Sequence, residues 1–199
     1  MKLLQINTSV RAQDANSTKL AAMISKRIQD KHPAASLEVL DLGKTPHPVL
    51  DEAAVAALLT PGEKRDAAQA ARVAQDDAMI AKVQSSDAIV IGVPMYNFGI
   101  SVQLKSFFDA ISRAGVTFRY TENGPEGLIK GKKVYVALAR GGLYRDTPAD
   151  SQVPYLKTIL GFLGMTDVAY VYAEGLAMGP DGVTKAFAEA EKQLNQIFA

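Results

Sequence analysis

The stretch Ala88-Ile89-Val90-Ile91-Gly92-Val93, running straight into Pro94-Met95-Tyr96-Asn97-Phe98-Gly99, decides how this chain folds. Its first half is strand-length, rich in Val and Ile, and almost unbroken in apolarity. Unbroken apolarity, in place of strict alternation, marks a strand covered on both faces. Val134–Ala139 repeats the pattern, and Leu3–Ile6, Leu37–Leu40 and Val168–Tyr172 are further strand-length runs.

Between these runs the apolar spacing changes to that of helices. Leu20, Met23, Ile24 and Ile28 share a face, as do Leu104, Phe107, Phe108 and Ile111. Leu156, Ile159, Leu160 and Leu163 repeat it, followed by Val183, Phe187, Ala190, Leu194 and Ile197. The Ala-rich stretch Glu63–Ser85 is expected to be one closely packed helix. Five strands alternating with helices predict an α/β fold, a doubly wound five-stranded parallel sheet with helices on both faces. Spacing does not reveal the strand order. One domain is expected over residues 1–199, without internal repeats. Arg113–Lys133 is a long excursion for a compact domain, expected to carry a small hairpin around Thr117–Thr121.

Composition narrows the function. A net charge of +1 argues against a nucleic-acid surface. The chain has no cysteine, which excludes disulfides, thiolate nucleophiles and Cys-bound metals. Redox chemistry would therefore need a bound cofactor. The start Met1-Lys2-Leu3-Leu4-Gln5-Ile6-Asn7 turns polar too soon for a signal peptide, and no apolar run is long enough to span a bilayer. The expected location is the cytoplasm, with no membrane partner.

Ligands of open α/β sheets bind outside the carboxyl ends of the strands, and three unusual segments fall there. Thr8–Thr18 carries neither G-x-G-x-x-G nor a P-loop, but offers Ser9, Asn16, Ser17 and Thr18 at a helix start. Hydroxyls and free N–H groups suit a phosphate monoester, while Asn16 or Ser17 could equally cap the helix; the two roles are compatible. Pro94–Gly99 provides a mostly apolar wall for a flat, partly polar heterocycle, or else a turn that closes the core. Arg140-Gly141-Gly142 lets a backbone approach a ligand closely and present N–H donors, or is a plain turn. The proline-flanked His47, the Pro-preceding His32 and the pair Asp76-Asp77 read as surface features. No spacing of histidines supports a metal.

With these segments in hand, the chain resembles the bacterial FMN-dependent NADH azoreductases of the flavodoxin-like NAD(P)H–quinone oxidoreductase group. The resemblance spans nearly the whole chain and rests on Pro94–Phe98, Arg113–Leu128, Arg140-Gly141-Gly142 and Gly161-Phe162-Leu163-Gly164. It implies FMN, with the phosphate near Ser9, Ala15, Asn16 and Ser17. It implies an isoalloxazine ring against Met95, Tyr96, Asn97 and Phe98 on one side and Ala139, Arg140, Gly141 and Gly142 on the other. It further implies a homodimer with active sites at the interface, where Tyr120 and Phe162 border the substrate space. Ala15 and Ala139 stand where the family often has Ser, which leaves backbone donors to serve there. The 51–66 stretch and Tyr144-Arg145 are less typical of the family, so the choice between NADH and NADPH stays open.

The implied activity is hydride transfer from NADH or NADPH to a quinone or azo acceptor in ping-pong order, with no side chain assigned as a catalytic acid or base. A quinone needs one cycle, and cleavage of an azo bond to two amines needs two. The alternative is a flavodoxin-type electron carrier that does not itself oxidise NAD(P)H. Such carriers are usually strongly acidic, unlike this chain.

Overall fold

The computed structural model describes residues 1–11 and 13–199; Ala12, within the expected phosphate segment, lies outside the described residues. Five parallel strands form the sheet: β1 (Lys2–Asn7), β2 (Ser36–Asp41), β3 (Ala88–Pro94), β6 (Lys133–Ala139) and β7 (Asp167–Ala173). Their order is β2-β1-β3-β6-β7. The order in which strands are added therefore reverses between β1 and β3, the switch point at which this fold binds ligands. The five expected strands are all present.

Burial explains the pattern that revealed them. All seven residues of β3 are buried. Helix α1 (Asn16–Lys31) and helix α6 (Gly182–Ile197) cover one face, where Leu20, Ile24, Ile28 and Leu194 pack on Leu3, Val90, Ala137 and Val171. Helices α3 (Ala67–Ser85), α4 (Val102–Ile111) and α5 (Gln152–Leu163) cover the other, on Leu4, Ile6, Ile89, Ile91, Val134 and Val136. Odd and even residues of one strand thus enter different cores, as the two-residue period of a strand requires. By contrast β2 is an edge strand, and its Leu37 and Val39 remain exposed.

Two sequence expectations change, and one helix is added. The stretch Glu63–Ser85 is not one helix: a 3₁₀ turn (Gly62–Lys64) precedes α3, which starts at Ala67. Asp66 sets that start, because its side chain accepts from the Gln69 amide while the Gln69 side chain accepts from the Asp66 amide. This is a capping box, and it terminates the helix whatever the propensity of the preceding residues. A further helix, α2 (Glu52–Leu59), capped by Asp51, occupies part of the 51–66 stretch, for which the sequence pattern gave no element. Finally, His47 and Asp76 are not surface residues. Both are buried, with Nε2 of His47 at 2.7 Å from the Asp76 carboxylate, which also meets Arg72 and Arg113. The partners come from distant segments, so local pattern gave no hint of them.

The excursion after α4 contains the expected hairpin, with β4 (Phe118–Thr121) antiparallel to β5 (Gly124–Gly127). It lies against the end of α5 so closely that a Cβ on Gly127 would meet the Gly164 nitrogen at 2.0 Å. Gly164 itself has φ +95°, the left-handed C-cap that ends α5.

Candidate functional site

The carboxyl ends of β1, β3 and β6 and the loop after β7 converge on one cavity of about 260 Å³. The first segment contributes Ser9, Arg11, Ala15, Asn16 and Ser17 to its lining, the second Pro94, Met95 and Tyr96. Ala139 and Gly141 come from the third, and Leu176 and Ala177 from beyond β7. A larger cavity, about 500 Å³, lies between α2 and α3. Its charged residues are already engaged, Asp51 and Asp66 as helix caps and Arg72 on Asp76. The smaller cavity holds the polar groups that are still free to bind something.

Those groups gather where α1 begins. The close approach of α1 to the sheet depends on Gly92 in β3, where a Cβ would sit 2.9 Å from the Ser17 carbonyl oxygen. The N-cap residue is Ala15, in extended conformation, and no side chain among the described residues accepts from the first turn. Capping by Asn16 or Ser17 is thereby corrected: both already lie inside the helix, past the position from which a side chain can cap. Ser17 is 2% exposed, and among the described residues its hydroxyl has no hydrogen-bond partner. An uncapped helix N-terminus beside a hydroxyl with no partner among the described residues offers partial positive charge and donors to an anion.

The second segment is tied to the first. Ser9 Oγ and Tyr96 Oη are 2.9 Å apart, and the Val10 amide donates to the same Tyr96 oxygen at 3.3 Å. The Arg11 amide donates to Ser9 Oγ, and Thr8 Oγ1 donates to the Gly92 carbonyl at 2.7 Å. Past Tyr96 the chain reverses over Asn97 and Phe98, closed by reciprocal amide–carbonyl bonds between Tyr96 and Gly99. Asn97 has φ +49° and Phe98 φ +67°, the signature of a type I′ turn. A bulky residue rarely adopts this conformation, and such strain concentrates at functional sites. The turn leaves Phe98 54% exposed, edge-on to Tyr144 with ring centroids 5.6 Å apart.

The third segment divides its duties. The Arg140 side chain is fully buried and turned away from ligand duty: it forks onto Asp150 at 2.8 and 3.0 Å, reaches Glu174 at 3.1 Å and donates to Gln152 at 3.1 Å. Its own amide is taken by the Ala173 carbonyl. Arg140 therefore braces the site from behind, by side chain and backbone alike. Gly141 and Gly142, by contrast, have amides without an acceptor among the described residues, and Gly141 reaches the cavity.

Gln152, at the start of α5, joins two of the segments. Its amide nitrogen donates to the carbonyls of Pro94 at 2.9 Å and Gly99 at 3.1 Å, while its oxygen accepts from Arg140. Glu174 accepts from Arg140 and from the Tyr144 and Arg145 amides. Sequence reasoning named neither residue, nor Asp150 or Arg11. Glu174 was within reach of the strand-end rule, since it directly follows β7; Gln152 sits in an amphipathic helix and carries no local signal.

Of the expected ligand residues, the cavity wall brings together Ser9, Ala15, Asn16, Ser17, Met95, Tyr96, Ala139 and Gly141. Asn97, Phe98, Arg140 and Gly142 adjoin it in sequence without lining it. Tyr120 and Phe162 form a separate group, Phe118 standing 4.3 Å from Phe162 and 5.6 Å from Tyr120 between ring centroids. Phe162 lies at the opposite end of α5 from Gln152, roughly 15 Å along the axis at 1.5 Å per residue. Tyr120 is 76% exposed.

Known proteins resemble this chain along its full length. An FMN-dependent NADH:quinone oxidoreductase of Dechloromonas aromatica (strain RCB) is 67% identical over 199 residues, covering 100% of both chains. The protein of the same description from Aromatoleum aromaticum (strain DSM 19018 / LMG 30748 / EbN1) is 63% identical, again over 100% of both. Among solved structures, an FMN-dependent NADH-azoreductase from Bacillus anthracis str. Ames Ancestor, in complex with FMN, superposes with a TM-score of 0.86 at 25% identity, covering 100% of each chain. The family model described as flavodoxin-like fold matches residues 1–198, and this chain belongs to that family.

Proposed function

We propose that this chain is an FMN-dependent oxidoreductase that takes hydride from NADH or NADPH and passes it to a quinone or an azo compound. The observation that carries the reading is the uncapped start of α1, with Asn16 and Ser17 lining a cavity at the β1/β3 switch point. The relatives at 67% and 63% identity are named FMN-dependent NADH:quinone oxidoreductases, and the solved neighbour at 25% identity an FMN-dependent NADH-azoreductase.

The residues present fit FMN. Ser17, Asn16 and the first amides of α1 would hold its phosphate, as the absence of any acid in that first turn allows. Met95, Tyr96, Ala139 and Gly141 would flank the ring. Bound there, FMN supplies the two-electron chemistry that no side chain of this cysteine-free protein can. The amide of Gly141, which lines the cavity and has no competing acceptor among the described residues, would stabilise negative charge there. Gln152 holds the Pro94 and Gly99 carbonyls in place and so keeps the Met95–Phe98 wall fixed. Donor and acceptor use the same open face in turn, which makes the kinetics ping-pong.

A second copy of the chain completes the site. Tyr120 and Phe162 lie away from the cavity of their own chain, so in a homodimer they border the substrate space of the other. Among the described residues no helix is long and apolar enough to cross a membrane. The compartment proposed for the chain is the cytoplasm. One experiment tests the reading: the visible spectrum of purified protein titrated with FMN, then NADH oxidation with menadione as acceptor. Parallel double-reciprocal lines are expected. Protein that takes up no FMN refutes the cofactor; FMN binding without NADH oxidation makes the chain an electron carrier instead.

A further inference from the structure

Eight arginines occur in the chain. Seven have a partner: Arg27 meets Glu191, Arg72 and Arg113 meet Asp76, and Arg119 meets Glu126. Arg140 and Arg145 pair with Asp150 and Asp146, and Arg65 donates to the carbonyls of Ala57 and Thr60. Arg11 alone has none among the described residues for its guanidinium. It is also the one charged residue among the described residues that line the candidate cavity. The nearest acid in its loop, Asp14, is claimed by Lys19 at 3.1 Å, so the loop supplies no carboxylate to quench it.

We propose that Arg11 is the residue by which this cavity selects a phosphorylated flavin over the unphosphorylated one. The inference rests on the FMN reading above and adds to it a side chain that reading does not require. The start of α1 carries only about half a positive charge, and serine hydroxyls carry none. A phosphate monoester near neutral pH carries between about 1.5 and 2 negative charges. Ser17 and the helix start therefore leave much of that charge unmatched. Arg11 lines the same cavity as Asn16 and Ser17, and its amide is fixed by Ser9 Oγ at 3.1 Å, so its backbone is anchored while its guanidinium is free to close. A guanidinium forms two parallel bonds to phosphate, a geometry that an ammonium cannot copy. Riboflavin would fill the ring portion of the cavity and gain nothing from Arg11.

The test compares two ligands on three proteins. FMN and riboflavin affinities are measured by flavin fluorescence quenching for wild type, Arg11→Ala and Arg11→Lys, with circular dichroism confirming the fold of each. Arg11→Ala is expected to weaken FMN about tenfold to hundredfold, the range for a charge-assisted hydrogen-bonded pair, and riboflavin by less than about twofold. Arg11→Lys is expected to restore part of the FMN affinity. The pH profile supplies a second reading. Wild-type affinity for FMN should rise between about pH 5 and 7, as the phosphate loses its second proton near pH 6. That rise should flatten in Arg11→Ala. Equal losses for both flavins would make Arg11 a loop-shaping residue and overturn the proposal. Unchanged FMN affinity with wild type still binding FMN would overturn it too, leaving the FMN reading intact. Wild type that binds neither flavin would overturn both.

Discussion

Helices α1 and α3 begin in opposite ways. At α3, Asp66 and Gln69 satisfy each other's backbone amides, and further along the same helix Asp76 is consumed by His47, Arg72 and Arg113. At α1 the cap position holds Ala15, which has nothing to offer, and the hydroxyl of the buried Ser17 has no partner among the described residues. Both helices pack against the same sheet, so the difference does not come from packing. A helix that answers its own polar groups is scaffold. Helix α1 leaves its first amides open, at a cost of about 1 kcal/mol of forgone capping, and so leaves them available to an anion.

The sharpest way to break this contrast is Asp76→Asn. It strips the countercharge from three cationic or ionisable groups while burying a neutral amide, and should cost about 3 kcal/mol in urea unfolding, with flavin affinity unchanged. Burial pushes the Asp76 carboxyl up, but hydrogen bonds from His47 and Arg72 and their charges outweigh it and hold the carboxyl below its ordinary 3.8. A depressed carboxylate contributes its stability above the unfolded value and loses it as pH falls through the folded one. The gap between wild type and Asp76→Asn should therefore narrow as pH drops below 3.8. A gap under about 1 kcal/mol at pH 7 would mean that α3 is not held by its own charges.

Ser17→Asp probes the other helix. Aspartate near a helix start is favourable to the fold, yet it would face a near-dianionic phosphate. At ~4 Å and an effective dielectric near 20, each pair of unit charges repels by roughly 4 kcal/mol. Half of that weakens FMN about 30-fold, in a protein whose circular dichroism is normal. Normal FMN affinity would place the phosphate elsewhere. Asp66→Ala is the complementary change and the smallest in effect: about 1 kcal/mol of stability lost, with FMN affinity untouched. If it altered FMN affinity, the division between scaffold and binding helix would fail.

The difference between the helices also shows what the sequence could and could not disclose. Strand β3 was legible because seven buried residues leave no room for a polar one. The cavity was legible because hydroxyls, aromatics and glycines collect at strand ends, where a ligand is the economical explanation. The assignment of the α1 cap failed by one or two residues: Asn16 and Ser17 have the right chemistry for a cap and the wrong position. The reading of α3 failed for a different reason. Ala-rich propensity runs through Glu63–Ser85, but a side chain–backbone exchange at Asp66 overrides it. Charge clusters were the least visible. Asp76 and Arg113 are brought together by the packing of α3 on the segment after α4, and nothing local announces them.

Tyr96 carries a consequence of its own. Its hydroxyl touches Ser9 and the Val10 amide, so the wall expected to face the ring and the loop expected to face the phosphate share one hydrogen-bonded joint. Two subsites joined in this way are thermodynamically coupled, and the coupling is reciprocal. Inorganic phosphate should then tighten riboflavin binding, and riboflavin should tighten phosphate binding by the same factor, about fivefold at the lower end of such couplings. Calorimetric titration of each ligand in the presence of the other measures that factor twice. Tyr96→Phe, which keeps the ring and removes the joint, should bring both values to one.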